Sequence, residues 1–200
     1  MARLQRQKNQ VYRSREYLTP GEVQRLIEAA GNRGRHRLRD SPLERLRQRT
    51  LLLLMFRHGL RVGEACALKW DAVLFDMRSL NITRLKHGLS GVHRLQPDEL
   101  QALEQLQQQS ERGHVFVGER GQPLTTGAIA KIIKRAADQI ELPLPVHPHM
   151  LRHSCGYYLA EQGLPTRDIQ EYLGHRNIQH TVRYTAANPA RFDRIQWSVS

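Results

Sequence analysis

Cysteine is scarce. Cys66 and Cys155 are the only two in 200 residues. They lie far apart and form no C-x-x-C pair, so nothing suggests a disulfide framework, and both read as reduced core thiols of a cytosolic protein. Long apolar runs are missing as well. The longest, Leu51 to Phe56, is far short of the roughly 20 residues that span a bilayer. The first ten residues are polar and basic rather than apolar, so no signal peptide is expected. There is no internal repeat, no low-complexity tract and no linker after residue 16. Acidic residues are few: 19 Asp and Glu stand against 31 Lys and Arg, which leaves a formal charge of +12. Lysine is rarer still, with five in the chain (Lys8, Lys69, Lys86, Lys131, Lys134).

What is present is a hydrophobic fraction of 40%, too high for a disordered chain and enough for one domain with a real core. The basic surplus points to a polyanionic partner, most often nucleic acid. Its arginine bias suits a phosphate backbone, because the guanidinium fork bonds phosphate oxygens bidentately. Arg3, Arg6, Lys8, Arg13 and Arg15 form a basic arm. Arg33, Arg35, Arg37 and Arg39 surround glycines in a basic loop. Both are candidate DNA-binding segments.

Thr19-Pro20-Gly21-Glu22 has the form of a capping box with proline at the first helical position, and predicts a helix to about Ala30. Ser41-Pro42-Leu43-Glu44 repeats the signal and predicts a helix that carries the leucine run and stops at Gly59, followed by a short helix over 61–68. Alternating apolar positions then predict three antiparallel strands near 72–75, 80–86 and 92–95. Helices return over about 97–109, 126–139, 148–162, 166–173, 177–184 and 189–196. The expected fold is mainly α with a small three-stranded antiparallel sheet.

Four blocks carry candidate chemistry: Gly59-Leu60-Arg61-Val62-Gly63-Glu64; Leu85-Lys86-His87-Gly88 at a strand end; His149-Met150-Leu151-Arg152-His153; and Leu173-Gly174-His175-Arg176-Asn177, with Tyr184 nine residues after His175. Singly, each has an everyday explanation: a surface ion pair, a turn lysine, a helix cap, a packed aromatic. Together they meet one chemical demand. Cleaving a phosphodiester without metal requires neutralised non-bridging oxygens, a proton for the leaving oxygen and an aimed nucleophile. Arg61 and Arg152 suit the first task, Lys86 the second, and Tyr184 the third. Histidines can exchange protons near neutral pH. His147, His149 and His153 also have ligand-like spacing, but Arg152 lies among them and no H-E-x-x-H is present, which argues against a metal site.

The ordered set Arg61, Lys86, His149, Arg152, His175, Tyr184 resembles the catalytic signature of the tyrosine recombinase (phage integrase) family. The stretches from His147 to Gly156 and from Tyr172 to Ala186 resemble most the short fimbrial phase-variation invertases of bacteria. The resemblance implies the catalytic-domain fold of that family over 17–200, preceded by a basic arm at 1–16 and lacking a separate N-terminal core-binding domain. It implies that Arg61 and Arg152 bind the scissile phosphate and that Lys86 is the general acid. His149 would assist proton transfer at the nucleophile, and His175 would bond a phosphate oxygen. Tyr184 would form a 3′-phosphotyrosyl link, with Glu64 orienting the phosphate-binding groups. No cofactor or metal is implied. The implied partners are double-stranded DNA, a homotetramer assembled on it and host DNA-bending proteins, with no membrane; the expected setting is the bacterial cytoplasm, at the nucleoid. Two other readings use the same residues: a DNA-binding regulator without catalysis, which six intact active positions argue against, and a type IB topoisomerase-like nickase.

Overall fold

The structure, a computed structural model, describes residues 15–32, 41–85, 88–109, 113–118 and 120–186. Most of the basic arm (Arg3, Arg6, Lys8, Arg13), the basic loop (Arg33, Arg35, Arg37, Arg39), Lys86 and the helix expected over 189–196 lie outside those residues.

The helix starts follow their caps. In α1 (Pro20–Gly31), Thr19 and Glu22 form the reciprocal capping box and Pro20 opens the first turn. Ser41 caps α2 (Pro42–Arg57) by accepting from the Glu44 N–H. The short α3 (Val62–Ala67) begins one residue later than expected, because Arg61 is its cap: the Arg61 backbone N–H donates to Glu64. Three strands form an antiparallel sheet in the order β1 (Val73–Leu74), β2 (Ser79–Ile82), β3 (Gly91–Arg94), with Leu80 opposite His93 and Ile82 opposite Gly91. Helices α4 (Pro97–Gln107), α5 (Thr126–Gln139), α6 (Pro148–Glu161), α7 (Thr166–Leu173) and α8 (Gln179–Ala186) complete the described chain.

β2 stops at Ile82 rather than reaching residue 86. The backbone donors beyond it are taken by side chains: Arg84 N–H by Ser90 Oγ at 3.1 Å and Leu85 N–H by Glu64 at 3.3 Å. A strand whose donors are satisfied this way leaves the ladder. The last described helix starts at Gln179, not 177, since the Asn177 side chain accepts from the Gln179 N–H at 2.9 Å.

Two apolar cores result. The larger joins α1, α2, α5 and the sheet around Leu26, Leu51, Leu52, Leu54, Leu80, Phe116 and Ile129. The smaller lies among α6, α7 and α8 and contains Cys155, Ala160, Ile169, Leu173 and Tyr184. The turn at His58–Arg61 runs between them, and the polar groups of interest gather along that seam. Among the described residues no helix is long and apolar enough to cross a membrane.

Candidate functional site

The seam is organised by guanidinium groups and exposed backbone carbonyls. Arg61, at the start of α3, is partly exposed and pairs with Glu64 through Nη1 at 2.7 Å. Arg152, on the first turns of α6, is buried, and its two nitrogens donate to Gly59 O and Leu173 O. One guanidinium thus bridges the chain two residues before Arg61 and two residues before His175. Arg84, also buried, donates from Nη1 to Gly59 O and to Glu64, and from Nη2 to His58 O and Tyr172 O.

Two arginines, Arg61 and Arg84, therefore bond one carboxylate, and Arg152 lies near enough to feel its charge. Burial pushes the Glu64 carboxyl up, but the Arg61 N–H and the Arg84 charge outweigh it and hold Glu64 below its ordinary range. The reverse holds for Arg152, which burial, reinforced by the charges of Arg61 and Arg84, pushes down to about 10. It stays protonated at neutral pH, and the pocket keeps an excess of positive charge facing the open side of Arg61.

His175 follows Gly174, which ends α7 in the left-handed region at φ 65°. A Cβ at Gly174 would lie 2.3 Å from Leu89 O, so only glycine lets the loop of Leu89 close over this turn. His175 is buried, its Nδ1 lies 2.9 Å from Thr181 Oγ1, and its backbone O accepts from Gln170 Nε2. Burial, aided by Arg152 and Arg61, pulls its pKa down to about 3, so the ring is neutral.

Tyr184 is buried in the smaller core, yet its hydroxyl has a polar partner: His153 Nδ1 at 2.9 Å. Its ring packs edge-on against Tyr157, with centroids 5.0 Å apart. Gly156 makes room for it, since a Cβ there would sit 2.5 Å from Tyr184 Cε2. Burial raises the phenol pKa above its ordinary value against the opposing charges of Arg183 and Arg152. Burial and Arg183 likewise pull His153 down to about 4. Without DNA, the pair is a protonated phenol beside a neutral imidazole.

The structure thus gathers Arg61, Glu64, Arg152, His175 and Tyr184. His149 stands exposed one turn before His153 on α6, ring centroids 6.3 Å apart, and the imidazole at the phenol is His153 rather than His149. Lys86 lies outside the described residues, but both its flanks touch the site: Leu85 N–H donates to Glu64, and Leu89 N–H to Gly174 O at 3.3 Å. Arg15 is the one basic residue of the expected arm that the structure describes. Its guanidinium bonds Glu22 at 2.6 Å and supports the α1 cap. Among the described residues no group of three His, Cys, Asp or Glu side chains is arranged to hold a metal. Sequence reasoning missed Arg84 and the contact of His153. The signal for Arg84 was its register: Leu80, Ile82 and Arg84 alternate and all three are buried, so a charge stood on the inward face.

Residues 16–191 match the phage integrase family. The type 1 fimbriae regulatory protein FimE of Escherichia coli (strain K12) is 42% identical over 187 residues, covering 89% of this chain and 89% of that protein. The tyrosine recombinase XerC of Xylella fastidiosa (strain M23) is 37% identical over 152 residues, 73% of this chain and 50% of that one. Among solved structures, the XerH site-specific recombinase bound to difH substrate matches with a TM-score of 0.74 at 21% identity, over 90% of this chain and 53% of that chain. The chain spans nearly all of the fimbrial regulator and about half of XerC and XerH. With this match and the Arg61–Arg152–His175–Tyr184 cluster, the chain belongs to the phage integrase family and is a tyrosine-type site-specific recombinase, an enzyme that breaks and rejoins DNA.

Proposed function

We propose that Tyr184 is the nucleophile, and that the enzyme inverts a promoter-bearing segment between short inverted repeats to control fimbrial phase variation. The likeness to FimE supports the inversion reading. The observation that carries the chemical reading is the Tyr184 hydroxyl, held by His153 on the same helix that supplies Arg152. The Tyr184 oxygen attacks the scissile phosphorus, a phosphotyrosyl bond forms at the 3′ side, and the bond to the 5′-oxygen breaks. The phenol proton passes to an imidazole, His153 by contact or His149 beside it. The 5′-oxygen takes its proton from Lys86. Charge on the non-bridging oxygens is met by Arg61 and Arg152. His175 donates from Nε2 in the tautomer whose Nδ1 accepts from Thr181. Glu64 holds Arg61 at the right angle.

Residues 17–200 act as the catalytic domain and 1–16 as a basic arm on double-stranded DNA, in the bacterial cytoplasm at the nucleoid. Arg3, Arg6, Lys8, Arg13 and the cluster Arg33, Arg35, Arg37 and Arg39 contact phosphates. A DNA-assembled homotetramer, aided by host DNA-bending proteins, is the active species. The step needs neither metal nor nucleotide, since the arginines meet the phosphate charge and the bond energy is kept in the phosphotyrosyl link.

The test is a nicked suicide substrate resolved on a denaturing gel. The native enzyme should form a covalent adduct, also in excess chelator. Tyr184→Phe should bind DNA to within a few-fold and form none. An adduct with the Phe variant assigns the nucleophile elsewhere.

A further inference from the structure

We infer that Arg84 is a positioning residue for strand cleavage: its guanidinium locks together the three chain segments that present the phosphate-binding groups and the general acid. The inference rests on the roles proposed above for Arg61, Arg152, His175 and Lys86. Arg84 has no opening to DNA of its own, being buried on the inward face of the strand end. All four hydrogen bonds of its guanidinium go to protein acceptors, and they reach three different segments. Gly59 O at 3.1 Å and His58 O at 3.0 Å belong to the turn that leads into Arg61. Glu64 at 2.9 Å is the carboxylate that also holds Arg61 Nη1. Tyr172 O at 2.7 Å belongs to the end of α7 that leads into Gly174 and His175.

The connection to Arg152 is direct. Gly59 O accepts from both Arg84 and Arg152, so the two guanidiniums share one carbonyl. Arg84 sets where that carbonyl lies, and the carbonyl sets one of the two bonds that hold Arg152. The connection to Lys86 runs through the backbone two residues away. Packing reinforces it: a Cβ at Gly88 would meet Arg84 Cβ at 2.7 Å, and one at Gly174 would meet Arg84 Cγ at 2.8 Å. Both turns that flank the general acid and His175 are therefore shaped against the Arg84 stem.

Only an arginine can do this. The planar fork directs donors along two edges at once, whereas an ammonium offers three donors from one point and cannot serve opposite edges. The charge is needed as well as the fork. Arg61 and Arg152 repel Arg84, and Glu64 is the one carboxylate that offsets it. Placing a third cation beside two that await a phosphate is costly, and a carbonyl clamp alone would call for a neutral donor. The arrangement makes sense where Glu64 must be kept ionised, so that it goes on orienting Arg61 when DNA is absent.

The test uses the full-length enzyme, a suicide substrate under single-turnover conditions, and a gel-shift titration for affinity. Arg84→Lys keeps the charge and removes the fork. It should fold, bind DNA within about threefold of the native enzyme and form adduct about 100-fold more slowly, the effect expected when catalytic groups move by an ångström. Arg84→Gln removes the charge too. It should shift the acid limb of the cleavage profile to higher pH, because Glu64 loses a partner that holds its carboxyl down; Arg84→Lys should leave that limb in place. Combining Arg84→Lys with Glu64→Gln should slow cleavage little beyond the slower single variant, since both changes act on one network. The inference is overturned by Arg84→Lys cleaving within threefold of native, by an unmoved acid limb in Arg84→Gln, by additive losses in the double variant, or by an Arg84→Lys protein that does not fold, which would make Arg84 a core residue only. Native cleavage that depends on Tyr184, measured alongside, keeps such a result separate from failure of the reading on which the inference rests.

Discussion

A nucleophilic tyrosine has conflicting requirements, and Tyr184 shows how one side chain meets them. Burying the ring in the small core fixes its direction, but burial also raises the phenol pKa and makes the oxygen a poorer nucleophile. The compensation is local. Arg183 lies over the ring at 5.5 Å, and His153 Nδ1 lies within hydrogen-bond distance of the hydroxyl. The fit depends on a missing methyl group at Gly156. Gly156→Ala would drive a Cβ into the ring at 2.5 to 2.7 Å from three of its carbons, and neither helix backbone can easily retreat. Overpacking of this kind costs about 1–3 kcal/mol. The expected result is a melting temperature lower by a few degrees and adduct formation reduced far more than DNA binding, because the ring is displaced from its line of attack. A Gly156→Ala enzyme that cleaves at the native rate would mean that Tyr184 leaves this pocket before it reacts.

Elements with strong local signals were legible in the chain, and elements defined by long-range polar contacts were not. Thr19-Pro20 and Ser41-Pro42 set two helix starts correctly because a cap is a local bond. The end of β2 was misplaced because what stops it, Glu64 and Ser90 taking the next backbone donors, comes from a separate helix and a later turn. The same division runs through the site. Arg61, Arg152, His175 and Tyr184 could be picked out by spacing, whereas the choice of His153 over His149 at the phenol depends on where α8 crosses α6. The segment from Leu85 to Leu89 can be tested as an element. Its described ends are tied to the site, Leu85 to Glu64 and Leu89 to Gly174 O, and Lys86 follows Leu85 in the sequence. Arginine gives up a proton poorly, and this chain, which otherwise favours arginine, has a lysine there. Lys86→Ala should cleave ordinary DNA slowly and recover on DNA carrying sulfur at the 5′-bridging position, where the leaving thiolate needs no proton. Equal slowness on both substrates would leave Lys86 a phosphate contact and move the acid role elsewhere.

Among the described residues three histidines are kept neutral by burial, and that has a consequence for the stability of the whole molecule. His93 lies on the inward side of β3, its Nδ1 3.3 Å from His58 Nδ1 and its ring 3.9 Å from the Tyr172 ring centroid. Burial, with His58 and Arg84 adding to it, pulls its pKa to about 3. His153 is held near 4 and His175 near 3 by burial beside arginines. All three shifts are depressions from a value of about 6.5 that returns when the chain unfolds. The unfolded state therefore binds more protons than the folded one once the pH drops below about 6.5. The stability due to these neutral rings is complete above that pH and is lost progressively as the pH falls toward 3 to 4. The buried carboxylate Glu64, also depressed, adds to the loss only below its own unfolded value of about 4.5, so the interval from pH 7 to 5 isolates the histidines. Across that interval each fully neutral histidine accounts for up to about 2 kcal/mol. One kcal/mol moves the melting temperature of a chain this size by about 2–4 °C. The DNA-free protein, melted at constant ionic strength, should therefore lose about 5 °C or more between pH 7 and pH 5, and unfolding at pH 5.5 should take up between two and three protons per chain, read from the slope of unfolding free energy against pH. A melting temperature flat to within a degree over the same range would mean that these rings are already protonated in the folded protein, with the seam around Arg84 and Arg152 open enough to water to carry the extra charge.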